Sequence, residues 1–277
     1  MKITDIRGTA ELRNGVTMPY FGLGVFQTAD GEEVIRSVQD ALGAGYRHID
    51  TAALYQNEKG VGEAIRGSGI SRREIFVTSK VWNYDQGYDR TLRAFEKSLK
   101  FLQFDYLDLY LVHWPVKGKY IDTWKAIEKL YQQKAVRAIG VSNFLIHHLD
   151  DLLSHCTEIP MVNQMEFHPY LVQQDLIDYC RERKIQYEAW SPLMQGKIMG
   201  VQELKTIALK YKKNVAQLVL RWNLQKGVVT IPKSVHKERI ISNAEIFDFE
   251  IAPADMKTID GLDRHERIGA DPDTFDF

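Results

Sequence analysis

Apolar positions follow two rhythms along this chain, and the two take turns. Short runs rich in β-branched and aromatic residues occur at 20–26 (YFGLGVF), 46–50 (YRHID), 75–80 (IFVTSK) and 106–114 (YLDLYLVHW). Four more follow at 136–143 (VRAIGVSN), 161–167 (MVNQMEF), 185–191 (IQYEAWS) and 228–234 (VVTIPKS). Their length and composition predict buried strands. Between them the apolar residues recur at helical spacing. Over 30–42 the stripe is Val34, Ile35, Val38, Ala41 and Leu42, with Asp30 and Glu33 spaced as a capping box and Gly43 as a stop. Over 89–102 it is Leu92, Phe95, Leu99 and Leu102, and over 122–133 it is Trp124, Ile127 and Leu130. Further helices are predicted over 145–154, 173–183, 202–212, 215–225 and 237–247, with a last one opened by Pro253. Ahead of the first strand, Asn14-Gly15 between short runs predicts a β-hairpin. By themselves such stripes speak only of core packing.

Eight strands alternating with helices predict an α/β fold, a (β/α)8 TIM barrel with an N-terminal β-hairpin and extra helices. No linker, repeat or low-complexity tract divides it, so residues 1–277 are expected to form one barrel domain. The rival is a doubly wound nucleotide-binding sheet, which should carry GxGxxG after its first strand. The nearest stretch, GLGVFQ at 22–27, has Gln27 in place of the third glycine.

Composition narrows the function without naming it. Hydrophobic residues make up 44% and charged residues 26% of 277, ordinary for a soluble domain with a sizeable core. A formal net charge of -1, with no long run of one sign, argues against nucleic acid or an anionic membrane as a partner. The two cysteines, Cys156 and Cys180, form no CxxC pair. The segment MKITDIRGTAEL lacks the apolar core of a signal peptide, and no apolar stretch reaches transmembrane length. A cytoplasmic monomer acting on a small molecule is the expectation.

In barrels of this kind chemistry gathers at the carboxyl ends of the strands. Here those ends are polar: Asp50, Lys80, His113, Ser142-Asn143, Gln164, Trp190-Ser191 and Lys233-Ser234. One strand-end lysine or asparagine is usually a solvated cap; seven polar ends on one face read as a site. His48, inside its strand, reads as a core histidine. Asp50, Tyr55, Lys80 and His113 fit together chemically. A free phenol is a poor acid at neutral pH; a neighbouring ammonium lowers its pKa, and a carboxylate keeps that ammonium charged and oriented. A neutral histidine can hydrogen-bond a carbonyl oxygen. Together they would protonate an oxyanion forming on a reduced carbonyl. A metal-dependent hydrolase built on His48, Asp50, His113 and His168 lacks any HxH or HExxH spacing, so no metal is expected. A Schiff-base enzyme using Lys80 or Lys233 is the other rival, but a lysine paired with Asp50 stays protonated and is a weak nucleophile.

GYRHIDTAALYQNE, the strand ending in TSK, DLYLVHWP, AIGVSNF, NQMEFHPY, EAWSPL and IPKSVHKERIISNA together resemble the aldo-keto reductases over essentially the whole chain. The tail ERIGADPDTFDF resembles that of bacterial members of the diketogluconate and glyoxal reductase type. The resemblance implies a barrel that binds NADPH/NADP+ without a Rossmann domain and reduces aldehydes and ketones, 2-oxoaldehydes or keto sugars among them. It implies Tyr55 as proton donor, Lys80 and Asp50 as its supports, and His113 orienting the carbonyl. Ser142, Asn143 and Gln164 would hold the nicotinamide carboxamide, and Trp190 would stack on the ring. Ser191 and Leu193 would line the pyrophosphate path. Lys233, Ser234 and Arg239 would meet the 2′-phosphate, with Asn243 near the adenine. Phe26, Trp82 and Trp114 would line an open substrate pocket. Trp190 stands where Tyr is common, and Ser242 where many relatives have Glu.

Overall fold

The computed structural model describes residues 3–275. A hairpin comes first: β1 (Thr9–Glu11) pairs antiparallel with β2 (Thr17–Pro19). Its turn uses Gly15 at φ 82, as Asn14-Gly15 predicts. Ala10, Leu12 and Met18 from this hairpin enter the common core.

Eight parallel strands follow: β3 (Leu23–Gly24), β4 (His48–Asp50), β5 (Phe76–Val81), β6 (Leu107–Val112), β7 (Val136–Ser142), β8 (Val162–Glu166), β9 (Gln186–Trp190) and β10 (Val229–Thr230). Each hydrogen-bonds to its neighbour in sequence. Parallel bridges Phe21↔Thr230 and Gly24↔Lys233 join the last strand to the first, so the sheet closes on itself as the predicted barrel. Every residue of β4, β5, β6 and β8 is buried, so both faces of these strands are covered, with polar side chains such as Asp50 and Gln164 among those enclosed.

The helices are α1 (Glu32–Gly43), α2 (Glu58–Gly67), α3 (Tyr88–Leu102), α4 (Tyr120–Gln132), α5 (Ile146–His155), α6 (Gln174–Glu182), α7 (Gln202–Lys210), α8 (Val215–Gln225), α9 (Lys237–Ala244) and α10 (Pro253–Asp260). None of them is long and apolar enough to cross a membrane. Three details depart from the sequence reading. β3 and β10 shrink to two residues each. Pro232 brings no N–H to the ladder, and Gly24 passes so close that a Cβ there would lie 2.9 Å from the Ile231 carbonyl oxygen. The capping box at the start of α1 does not form. Asp30 Oδ1 instead accepts from the Gly60 amide at 2.9 Å, and Glu33 Oε2 from the Ala29 amide at 2.7 Å.

The third departure is α2, which no periodicity announced. Gly60, Gly62 and Gly67 cost helix propensity, yet the helix forms because packing requires two of them. A Cβ at Gly62 would overlap the Leu102 carbonyl at the end of α3, and one at Gly60 would overlap Val34 of α1. Gly62→Ala is therefore expected to destabilise the protein by about 1–3 kcal/mol despite alanine's better helix propensity. A urea midpoint equal to or above that of the wild type would show that α2 and α3 separate at no cost.

Candidate active site

The strand ends deliver the predicted side chains to one mouth of the barrel. Asp50 closes β4, Lys80 lies one residue before the end of β5, and His113 follows β6. Tyr55 comes from a single 3-10 turn, Ala53–Tyr55, just after β4. Asn57 fixes that turn. Wholly buried, it accepts from Thr51 Oγ1 at 2.8 Å and donates to the carbonyls of Val25 and Thr28 at 2.9 and 3.0 Å. Glu58 beside it accepts from Ser79 Oγ at 2.6 Å. The stretch YQNE thus combines Tyr55 with two residues that tie its loop to the segment after β3 and to β5.

At the centre lies the Lys80 ammonium, with no solvent exposure. It donates to Asp50 Oδ1 at 2.6 Å, to the Thr51 carbonyl at 3.0 Å and to Tyr55 Oη at 3.3 Å, which uses all three of its N–H groups. Burial pulls its pKa down, but Asp50, then Tyr55 and Glu188, outweigh that and hold it above the usual lysine value. A lysine so held is no nucleophile, which removes the Schiff-base reading at Lys80.

Burial also pushes the Tyr55 phenol up. Lys80 opposes the rise, while Asp50 and Glu188 add to it. The sequence reading expected a net fall. One ammonium shared among three acceptors returns less than burying a phenolate costs, so Lys80 limits a rise instead. The consequence is a phenol that keeps its proton at neutral pH. His113 is held well below the ordinary histidine value by burial and by Lys80, so its ring is neutral. It meets Tyr55 edge-on at 5.8 Å and Trp82 at 5.2 Å.

The remaining predicted residues surround this centre. Ser142 Oγ donates to the Gln164 carbonyl at 3.0 Å. Asn143, at φ 66, donates to the His113 carbonyl at 3.0 Å and to Ser142 Oγ at 3.1 Å, and its Oδ1 accepts from Trp190 Nε1 at 2.9 Å. The indole of Trp190 is therefore tied directly to the amide cluster. Ser191 (φ 52) turns the chain away from β9 and has a buried hydroxyl with no partner among the described residues, with Leu193 half-buried two residues on. Ser234 accepts the His236 amide at 3.1 Å and so shapes the entry to α9. Lys233 and Arg239 are exposed on either side of it, and Asn243 is buried farther along α9. Ser242, the departure from the family pattern, is taken up by α8: it accepts from Gln217 and Asn214.

On the open side Phe26 is 46% exposed and tilts against Tyr55 at 5.0 Å, so it is a rim residue and not core. Trp82 is half-buried against His113. Trp114 is buried with its ring 4.6 Å from Phe275 in the tail. The histidines of the metal reading do not join Asp50 and His113. His48 is a core histidine with Nε2 3.2 Å from Thr78 Oγ1, pushed down to about 3 by burial and then by Lys80. His168 pairs with Glu166 at 3.0 Å. Among the described residues, the group with metal-ligand spacing is His147, His148 and Asp273, on the surface.

The chain as a whole has relatives among known proteins. The sequence profile of the aldo/keto reductase family matches residues 17–264. The chain belongs to that family. It is 59% identical over 274 residues to the glyoxal reductase of Bacillus subtilis (strain 168), covering 99% of each chain. To the methylglyoxal reductase DkgA of Escherichia coli (strain K12) it is 45% identical over 269 residues, 96% of this chain and 97% of that one. A crystal structure of a Gox0644 mutant in complex with NADPH superposes with a TM-score of 0.93 at 41% identity, covering 98% of this chain and 99% of that one.

Two features of this aldo/keto reductase escaped the sequence reading. Glu188 lies inside the barrel on β9, joined to Asp50 through Gln164. Glu166, at the end of β8, accepts the amides of Ile268 and Gly269 at 2.7 and 3.2 Å and thereby seats the tail against the Trp190 indole. Alternation pointed to both: a charged residue on the inward face of a buried strand is a warning of function or pairing.

Proposed function

We propose that this protein reduces aldehydes and ketones, 2-oxoaldehydes foremost, to alcohols with NADPH, and that Tyr55 is the general acid. The observation that carries this is the Lys80 ammonium, 2.6 Å from Asp50 and 3.3 Å from Tyr55 Oη, beside a neutral His113. NADPH, when bound, supplies the hydride for the carbonyl carbon. The chain's own residues do the rest. His113 and Tyr55 hold the carbonyl oxygen; as charge develops there, the Tyr55 proton moves onto it, and Lys80 stabilises the phenolate left behind. Water then returns a proton to Tyr55. Phe26, Trp82 and Trp114 give the substrate an apolar rim. The preference for 2-oxoaldehydes draws on the similarity to proteins named glyoxal and methylglyoxal reductase.

The residues fit the cofactor. Gln164 has both hydrogens of Nε2 committed to acidic oxygens, which leaves its carbonyl oxygen for the nicotinamide carboxamide. Asn143 and Ser142 complete that subsite, and Trp190, fixed by Asn143, offers its face to the ring. The partnerless Ser191 hydroxyl and Leu193 suit the pyrophosphate path. Lys233, Ser234 and Arg239 suit the 2′-phosphate, with Asn243 near the adenine. The enzyme works as a cytoplasmic monomer whose partners are this cofactor and a small carbonyl compound.

NADH has no 2′-phosphate, so the basic pair gains nothing from it. Two solvent-screened, charge-assisted contacts totalling about 3 kcal/mol correspond to about a hundredfold preference for NADPH. Lys233→Met and Arg239→Ala should each raise the Kd for NADPH by about tenfold and barely alter that for NADH. Turnover of methylglyoxal with NADPH tests the reaction itself. Equal wild-type affinities for the two cofactors at moderate ionic strength would sink the cofactor assignment, and no NADPH oxidation with aldehydes, ketones or 2-oxoaldehydes would sink the reaction.

A further inference from the structure

Glu188 has no solvent exposure, and its carboxyl group is poorly served. Its Oε2 accepts from Gln164 Nε2 at 2.9 Å, and the same nitrogen donates to Asp50 Oδ2 at 2.8 Å. One amide nitrogen thus bridges two carboxyl groups. The other oxygen of Glu188, Oε1, accepts no hydrogen bond among the described residues. The surrounding elements explain why. From β4, His48 Nε2 stands 3.6 Å away and lies closer to Thr78 Oγ1; buried and neutral, it brings no charge. Also from β4 comes Asp50, an anion. From β5, Lys80 spends its three N–H groups on Asp50, Thr51 and Tyr55. On β8 the register partner is Gln164, which supplies its amide, with Glu166 two residues on beside Trp190, and on β10 the register partner is the apolar Val229. An ionised Glu188 would have a single amide donor and a neighbouring anion, too little to offset its burial.

We propose that Glu188 is a positioning residue for the reduction, working as a neutral acid that holds Gln164 against Asp50, and that its ionisation shuts the site down from the alkaline side. The inference rests on Tyr55 being the proton donor. Burial, then the Asp50 charge, pushes Glu188 up to about 8, against the weaker lowering by Gln164 and Lys80. The sign follows. Below about pH 8 Glu188 is neutral, and the charge of Lys80 is opposed only by Asp50. Above that value a second anion enters the network, the Tyr55 phenol is pushed up further, and it becomes a weaker acid.

The test is the pH dependence of kcat for methylglyoxal reduction with saturating NADPH, in the wild type and in Glu188→Gln. Glutamine keeps an acceptor for Gln164 and never ionises. The wild type should lose about tenfold in kcat per pH unit above about pH 8, whereas the alkaline limb of Glu188→Gln should begin at least about one unit higher. A merely structural glutamate would change the height of the profile and leave its limb in place. A coincident alkaline limb in folded Glu188→Gln would overturn the inference. Should the variant not fold, infrared spectra of wild-type protein labelled with ¹³C-glutamate decide. A buried protonated carboxyl band present at about pH 6 and lost by about pH 10 supports it, and no such band at the lower pH overturns it. Absence of any wild-type turnover would tell against the reductase reading instead, and the infrared result would still settle the state of Glu188.

Discussion

Tyr55→Phe is expected to lower kcat for carbonyl reduction by about 10²–10⁴-fold, the range that general acid catalysis contributes. It should leave the Kd for NADPH within about twofold, because the phenol is needed only as charge develops on the substrate oxygen. The ring contacts that hold this side chain, with Phe26 at 5.0 Å and His113 at 5.8 Å, survive the change. Lys80 keeps Asp50 and the Thr51 carbonyl as acceptors, so no buried charge is stranded. A loss of about 2.7–5.4 kcal/mol in transition-state stabilisation is therefore chemical and not a packing defect. Steady-state kcat measured beside a fluorescence titration with NADPH reads the two effects separately. Near-normal kcat in a folded Tyr55→Phe protein would remove Tyr55 from the role.

Lys80→Met is expected to be at least as damaging, by a different route. The tyrosine remains, but its phenol loses the one neighbour that restrains its upward shift, so it becomes a weaker acid. A drop of at least about 10² in kcat follows if proton transfer limits the variant. Stability falls too. Asp50 is only 2% exposed and would keep a single donor, Gln164 Nε2. Breaking a buried pair by removing one partner costs about 3–5 kcal/mol, although Asp50 can recover part of that by taking up a proton. Adding Asp50→Asn to Lys80→Met should therefore restore much of the urea midpoint while restoring none of the activity. A Lys80→Met enzyme with wild-type kcat and an unchanged pH–rate profile would contradict the coupling between lysine and phenol.

Much of this was legible from the sequence alone, for definite reasons. Strand and helix periods are local properties, and a closed parallel sheet buries both faces of its strands, so runs such as YLDLYLVHW stand out without knowledge of the fold. The groups proposed to react stood out because polar residues at or near the ends of otherwise apolar strands have no packing reason to be there. Asp50, Lys80, His113, Gln164 and Trp190 all declared themselves in that way. What stayed hidden depends on partners far away in the chain. The helix α2 looks poor by propensity; its glycines make sense only beside Leu102 and Val34. Asp30 and Glu33 have capping-box spacing, yet a distant amide, that of Gly60, takes Asp30 away. The lowering of the Tyr55 pKa expected from Lys80 was right in sign for that pair and wrong for the sum, because burial is a property of the whole barrel. Glu188 is the clearest case. Nothing in EAWSPL says that its carboxyl group will share one amide nitrogen with Asp50, since Gln164 and Asp50 lie 114 positions apart in sequence. Local patterning determined which elements form and which side chains stand at their ends; only the closed barrel decided which charges share a dry interior, because desolvation and Coulomb energies depend on distances through space.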